Sequence, residues 1–206
     1  MGEEIAALQV AESELPYAFP AGTGTEPHSF DLAHYRTRMA KYIDENKEEN
    51  RVFFNALEFA HELHQGQRRK SGAPYISHPC AVAEILAREL KFRDPLLLAA
   101  ALLHDVVEDT AITPEQMEER FGPDARKLVE GVTKLSKLEF RNRHEAQAEN
   151  LRRMFMAMSA DIRIILIKLA DRLHNIRTIN SHHSELRKKE IAEETLSIYA
   201  PLAHRL

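Results

Sequence analysis

Four ionisable residues occupy six positions in His104-Asp105-Val106-Val107-Glu108-Asp109, directly after the apolar run of residues 96–103. Burying unpaired charge is expensive, so a core helix that ends this way needs charge partners or a metal. At 100° per residue His104 and Glu108 share one face, and Asp105 and Asp109 the adjoining one, so a single cleft can use all four. The plainer reading is a helix end fraying into solvent. Two other stretches weigh against it. In Ala73-Pro74-Tyr75-Ile76-Ser77-His78-Pro79 one histidine is held between prolines at a helix start. In residues 162–179, where Ile162, Ile164, Ile165, Leu166, Ile167, Leu169, Leu173 and Ile176 can bury most of a helix, Asp171, Asn175 and Thr178 fall at i, i+4 and i+7 as a polar stripe. A carboxylate on a buried helix prefers a cation. The amide and hydroxyl at the following turns suit a sugar or a phosphate.

His78, His104, Asp105 and Asp171 together make a set of two imidazoles and two carboxylates. Mixed nitrogen and oxygen ligation of this kind suits a divalent ion such as Mn, Fe, Ni or Zn and leaves room for water. Such an ion lowers the pKa of its water toward neutrality and makes a nucleophile available. Glu108 and Asp109, beside those ligands, can then orient or deprotonate the water, or protonate a leaving group.

The order His … His-Asp … Asp resembles the HD-domain phosphohydrolases, and four longer stretches sharpen the likeness. His64-Gln65-Gly66-Gln67-Arg68-Arg69-Lys70-Ser71-Gly72-Ala73-Pro74-Tyr75-Ile76-Ser77-His78-Pro79 is similar to the first hydrolase motif of the Rel/Spo family of alarmone synthetase-hydrolases. Leu103-His104-Asp105-Val106-Val107-Glu108-Asp109-Thr110 is similar to its HDxxED motif. Glu130-Gly131-Val132-Thr133-Lys134-Leu135-Ser136-Lys137 and Lys168-Leu169-Ala170-Asp171-Arg172-Leu173-His174-Asn175-Ile176-Arg177-Thr178 follow the same family.

The resemblance implies an all-α HD-domain helical bundle over residues 31–206. It implies removal of the 3′-pyrophosphate of guanosine tetra- or pentaphosphate (ppGpp, pppGpp) with Mn²⁺, giving GDP or GTP and pyrophosphate. By position, His78, His104, Asp105 and Asp171 would hold the metal, and Glu108 and Asp109 would work on the attacking water. Arg69 and Lys70 would lie at the nucleotide, with the Arg69 plane stacked on guanine. Ser71, Asn175 and Thr178 would contact base or ribose. A planar guanidinium suits both an aromatic face and a phosphate, whereas lysine offers a point charge. Long members of the family continue into a synthetase domain and regulatory modules, so the chain is expected to be a hydrolase domain excised from a bifunctional enzyme.

The elements that must position these residues are legible from periodicity and caps. A chain of 206 residues with 44% hydrophobic content has material for one sizeable core. With Lys+Arg 28 against Asp+Glu 32 it carries a net −4, which argues against a nucleic-acid sleeve. Cys80 stands alone, which excludes an intrachain disulfide and suits a reducing cytoplasm. No apolar run approaches the roughly 20 residues that span a bilayer. Residues 1–30 read as a tail, with a short helix over 3–12. Asp31 can cap a helix to about Asn46, and a second runs from about Asn50 to Gln65 with Val52, Phe53, Ala56, Leu57, Ala60 and Leu63 on one face. Residues 66–75 are a loop. Pro79 suits the first turn of the next helix, and Asp94-Pro95 caps the apolar helix 96–107. Thr113 and Gln116 fit a capping box, and Gly122-Pro123 ends that helix. Another follows to about Ser136, then a basic loop over 138–144, then helices at about 145–158, 160–180 and 185–204.

Lys134, Lys137, Arg141 and Arg143 are either a second phosphate-facing group or a loop. His64 and His174 are the histidines expected next to the ligands, and Met154, Met156 and Met158 are expected as core filler. Three functional readings stand at this point: alarmone hydrolysis, an HD-type phosphohydrolase for another nucleotide, and a catalytically silent module. Only the first uses the Arg69-Lys70 loop and the Asn175/Thr178 stripe together.

Overall fold

The computed structural model of the chain describes residues 29–136, 156, 160–181 and 184–206. Among these, regular structure is helical throughout, apart from one isolated antiparallel bridge between Arg68 and Pro74. The expected tail up to residue 28, the helix over 3–12, Lys137, Arg141, Arg143, and the helix over 145–158 apart from residue 156, with Met154 and Met158, lie outside the described residues. Met156 is exposed and is not core filler.

Helix α1 (Leu32–Met39) starts where Asp31 accepts the His34 N–H at 2.8 Å. It stops well short of Asn46. The Asp44 carboxylate accepts the Asn46 N–H at 3.0 Å and Asn50 Nδ2 donates to the Asp44 carbonyl at 2.7 Å. These bonds offer the backbone a turn in place of a helix. Helix α2 (Arg51–Leu63) buries Phe53, Phe54, Ala56, Leu57, Phe59 and Ala60, while Val52 and Leu63 of the expected face are only half-buried. Helix α3 (Ser77–Glu84) runs on through a π turn (Ile85–Glu89).

Helix α4 (Pro95–Leu103) is the centre of the bundle. The Asp94 carboxylate accepts from the N–H groups of Leu96 and Leu97 at 2.9 and 3.3 Å, and Pro95 fills the position that needs no N–H. Every residue from Leu97 to Leu103 is buried. Each buried leucine contributes about 1.5–3 kcal/mol over an exposed one, which fixes α4 in the middle. Against expectation the helix does not run to Val107. It breaks at His104-Asp105 and resumes as the single turn α5 (Val106–Asp109).

Helix α6 (Pro114–Phe121) has the reciprocal Thr113/Gln116 capping box and ends at Gly122, whose φ of 85° favours glycine. Helix α7 (Pro123–Ser136) lies against α6 and α8 (Ile162–Arg177). The close approach of α7 to α8 depends on Gly131, because a Cβ there would sit 2.4 Å from Ile164 Cδ1. Helix α8 is capped by Asp161 on the Arg163 N–H at 3.0 Å. Arg163 also donates to Asp94 at 2.9 Å, tying the starts of α8 and α4 together. Helix α9 (Glu185–Glu194) passes through a second π turn (Thr195–Tyr199) into α10 (Ala200–Ala203). Helices α2, α3 and α8 all pack on α4, so the first turn of α3, the end of α4 and the middle of α8 converge.

Candidate active site

His78 is the second residue of α3, His104 caps the end of α4, and Asp171 lies inside α8. One ligand atom from each lies within 4.8 Å of the others, and all three side chains are buried. Asp105 borders this trio, with Oδ1 3.1 Å from His104 Nε2 and Oδ2 3.6 Å from His78 Nε2. Asp171 Oδ1 is 3.3 Å from His78 Nε2. The four residues read as ligands from sequence therefore meet at one place, from three helices and the break after α4.

The donor set fits a divalent cation. His104 Nδ1 is 2.8 Å from the Ala101 carbonyl, which can only accept, so Nδ1 carries a proton and Nε2 is the ring atom left to face the cluster, a lone pair in the neutral imidazole. That Nε2 is buried with no hydrogen-bond partner, and a carboxylate oxygen faces it. A neutral imidazole nitrogen and a carboxylate oxygen so placed would repel each other, and a cation held by both would remove the conflict. Burial holds His78 below the usual imidazole range against the pull of Asp171 and Asp105, so it is neutral at pH 7. Its Nδ1 is 2.8 Å from His174 Nδ1. Were His78 Nε2 to hold a cation, its proton would sit on Nδ1 and would be donated to His174. Burial, then His78 and Arg69, push His174 down to about 2, which keeps it an acceptor.

Burial would raise both aspartates, but their neighbours outweigh it. Lys168 and His78 hold Asp171 well below the carboxylate range, and His104 and His78 hold Asp105 below it. The Lys168 ammonium donates to Asp171 Oδ2 at 2.7 Å, and Asn175 Nδ2 donates to Oδ1 at 2.6 Å.

The loop before α3 brings the basic residues in. Arg69 donates its N–H to the Ala73 carbonyl at 2.8 Å and Tyr75 to the Gln67 carbonyl at 2.9 Å, with Gly72 turning the chain at φ 86°. This small hairpin points Arg69 at α8. Its Nη2 donates to Asn175 Oδ1 at 3.2 Å, and Nη1 is 3.4 Å from His174 Nδ1. Arg69 and Asn175 are thus joined to each other and to Asp171. Lys70 and Ser71 are exposed at the tip, and Thr178 ends α8 with its hydroxyl on the His174 carbonyl at 3.0 Å. Glu108 and Asp109 are exposed on α5. Lys134 pairs with Glu130 at 3.1 Å.

Three residues were not assigned a role by sequence reasoning. Lys168 stands one turn before Asp171, an i,i+3 spacing that could have identified it. The Tyr75 hydroxyl lies within hydrogen-bond distance of both Asp105 and Asp109, and Gln67 donates to the Asp109 carbonyl. Nothing in their spacing signals these contacts.

The model of the HD domain family matches residues 56–206, and a solved structure described as "A metazoan ortholog of SpoT hydrolyzes ppGpp and plays a role in starvation responses" is 36% identical, with a TM-score of 0.60 over 71% of this chain and 83% of that one. The chain belongs to the HD domain family. This HD domain is also 60% identical over 147 residues to "Bifunctional (p)ppGpp synthase/hydrolase SpoT" of Escherichia coli (strain K12), covering 71% of the chain and 20% of that protein. It is 55% identical over 175 residues to "Probable guanosine-3′,5′-bis(diphosphate) 3′-pyrophosphohydrolase" of Synechocystis sp. (strain ATCC 27184 / PCC 6803 / Kazusa), covering 85% and 23%. The HD domain therefore spans about a fifth of the length of these curated relatives. Among its described residues no helix is long and apolar enough to cross a membrane.

Proposed function

We propose that residues 31–206 form a Mn²⁺-dependent hydrolase that removes the 3′-pyrophosphate of guanosine tetra- or pentaphosphate, within a longer cytoplasmic protein whose synthetase domain follows. The observation that carries this reading is the meeting of His78, His104 and Asp171 in a buried cluster that Arg69 reaches through Asn175. The names of the relatives support it. A cation held by His78, His104, Asp105 and Asp171 would supply Lewis acidity to the phosphate and acidify a water.

The remaining steps belong to the chain's own side chains. Arg69 lays its guanidinium plane against guanine or a phosphate, with Lys70 as a second positive charge. Ser71, Asn175 and Thr178 supply the polar contacts that fix base and ribose, so the 3′-pyrophosphate is held at the carboxylate pole of the cleft. Asp109, with Glu108 beside it, accepts the proton of the attacking water, and the proton is returned to the 3′ oxygen as its bond to phosphorus breaks. The products are the 5′ di- or triphosphate and pyrophosphate. The exposure of Asp109 next to the buried ligands suits a group that must exchange protons with solvent.

Purified protein given Mn²⁺ and guanosine tetraphosphate is expected to release pyrophosphate, and EDTA is expected to stop it. Equal turnover of unrelated nucleotides would transfer the assignment to a general HD phosphohydrolase. Absence of turnover, with a melting temperature indifferent to chelator, would leave a silent module.

A further inference from the structure

We infer that Tyr75 is a positioning residue that, with Gln67, aims Asp109 at the water; this rests on the hydrolase reading above. Asp109 is the last residue of a one-turn helix, a place where backbone and side chain are ordinarily loose. Here both are tethered from the loop before α3. The Tyr75 hydroxyl lies 2.5 Å from Asp109 Oδ2, and Gln67 Nε2 donates to the Asp109 carbonyl at 3.1 Å. The tethers are themselves braced. Gln67 Oε1 is 2.8 Å from His64 Nδ1, and the Tyr75 ring is stacked on His64 with centroids 4.8 Å apart and planes 27° apart. The Tyr75 ring also meets the His78 ring edge-on at 6.3 Å.

A phenol has one hydrogen and here faces two carboxylates, since Asp105 Oδ2 is 2.9 Å from the same oxygen. Tyr75 can donate to only one at a time. With Asp105 engaged in holding a cation, the hydrogen would be left to Asp109 Oδ2. That bond fixes the carboxylate's rotation and leaves Oδ1 to take the proton from water. The loop that carries Arg69 therefore also sets the base, so that nucleotide binding and water activation share one rigid part.

Tyr75→Phe keeps the ring and removes only the hydroxyl. The expected result is a kcat reduced about 10- to 100-fold, the range for loss of an orienting partner, with KM for guanosine tetraphosphate within twofold of wild type. Mn²⁺ affinity, titrated calorimetrically on chelator-stripped protein, is expected to stay within threefold. Added to Asp109→Asn, Tyr75→Phe is expected to cost nothing more, because its effect passes through Asp109. Wild-type kcat in Tyr75→Phe, full additivity with Asp109→Asn, or a collapse of Mn²⁺ affinity each overturns the role, the last by assigning Tyr75 to Asp105. Should Tyr75→Phe melt far below wild type, Gln67→Ala decides: unchanged kcat there also overturns the double tether. A wild-type protein that fails to turn over the nucleotide sinks the hydrolase reading itself, a result distinct from an active wild type matched by Tyr75→Phe.

Discussion

His78, His104 and Asp171 ride on α3, α4 and α8 and are buried, whereas Arg69, Lys70 and Ser71 belong to an irregular loop and only Arg69 turns inward. The two regions touch through Asn175, which accepts from Arg69 and donates to Asp171. Under the proposed function their construction differs because their tasks differ. A metal tolerates little error in ligand position, and helices locked on an apolar core supply that precision. A ligand with a base, a sugar and phosphates needs charge that can approach, and a loop pinned by a few backbone bonds supplies that. The buried pole has a cost that the loop does not share: its charges must be matched without solvent, which is what Lys168, Asn175 and His174 do.

If this division holds, variants at the two regions separate by what they lose. Asp171→Ala is expected to bring the largest change, a fall of at least about 100-fold in Mn²⁺ affinity, measured by calorimetry, with turnover lost as a consequence. Unchanged metal content would break the ligand set. Asp109→Ala is expected to retain metal and lose about 100- to 10,000-fold in kcat, so a metal-free Asp109→Ala would erase the distinction between holding the ion and activating the water. For Arg69→Ala the expectation is roughly 10–100-fold weaker nucleotide binding with the metal intact, which a fluorescence titration with a labelled guanine nucleotide reads directly.

The cost of the buried pole should also show in pH. His174 is ordinarily near 6.5 and is held near 2 in the folded protein. The unfolded chain therefore takes up a proton that the folded one refuses. Stability of chelator-treated protein is expected to fall as pH drops below about 6.5, with a shallower slope in His174→Gln, followed by urea midpoints from pH 7.5 to 5. Identical slopes would mean that His174 is protonated in the fold. The smallest effect is structural: Gly131→Ala should destabilise by about 1–3 kcal/mol through contact with Ile164, leaving the site chemistry intact.

The caps and the central helix were readable because their causes are local. Asp94-Pro95, Thr113 with Gln116, and Gly122 each act within a turn of themselves, and the run 96–103 needs only its own side chains to demand burial. The candidate ligands were readable as residue types in order, aided by the family likeness. The shortened α1 and the break at His104-Asp105 were not. In α1 the competing bonds come from Asp44 and Asn50, beyond the helix. At the break, Asp105 is engaged by Tyr75 and His78, which lie more than 25 residues earlier in the chain. A periodicity count sees a continuous helix there, because each residue by itself is compatible with one.

The sequence alone determined that this chain is helical and where its core helix lies, since propensity, capping and burial depend on neighbours within a few residues. Only the tertiary structure decided that His78 and His104 meet Asp171, that Arg69 reaches α8, and that one phenol hydroxyl lies between Asp105 and Asp109. Those contacts depend on how α3, α4 and α8 pack, and a hydrogen bond of 2.5–3.2 Å is set by that packing rather than by distance along the chain.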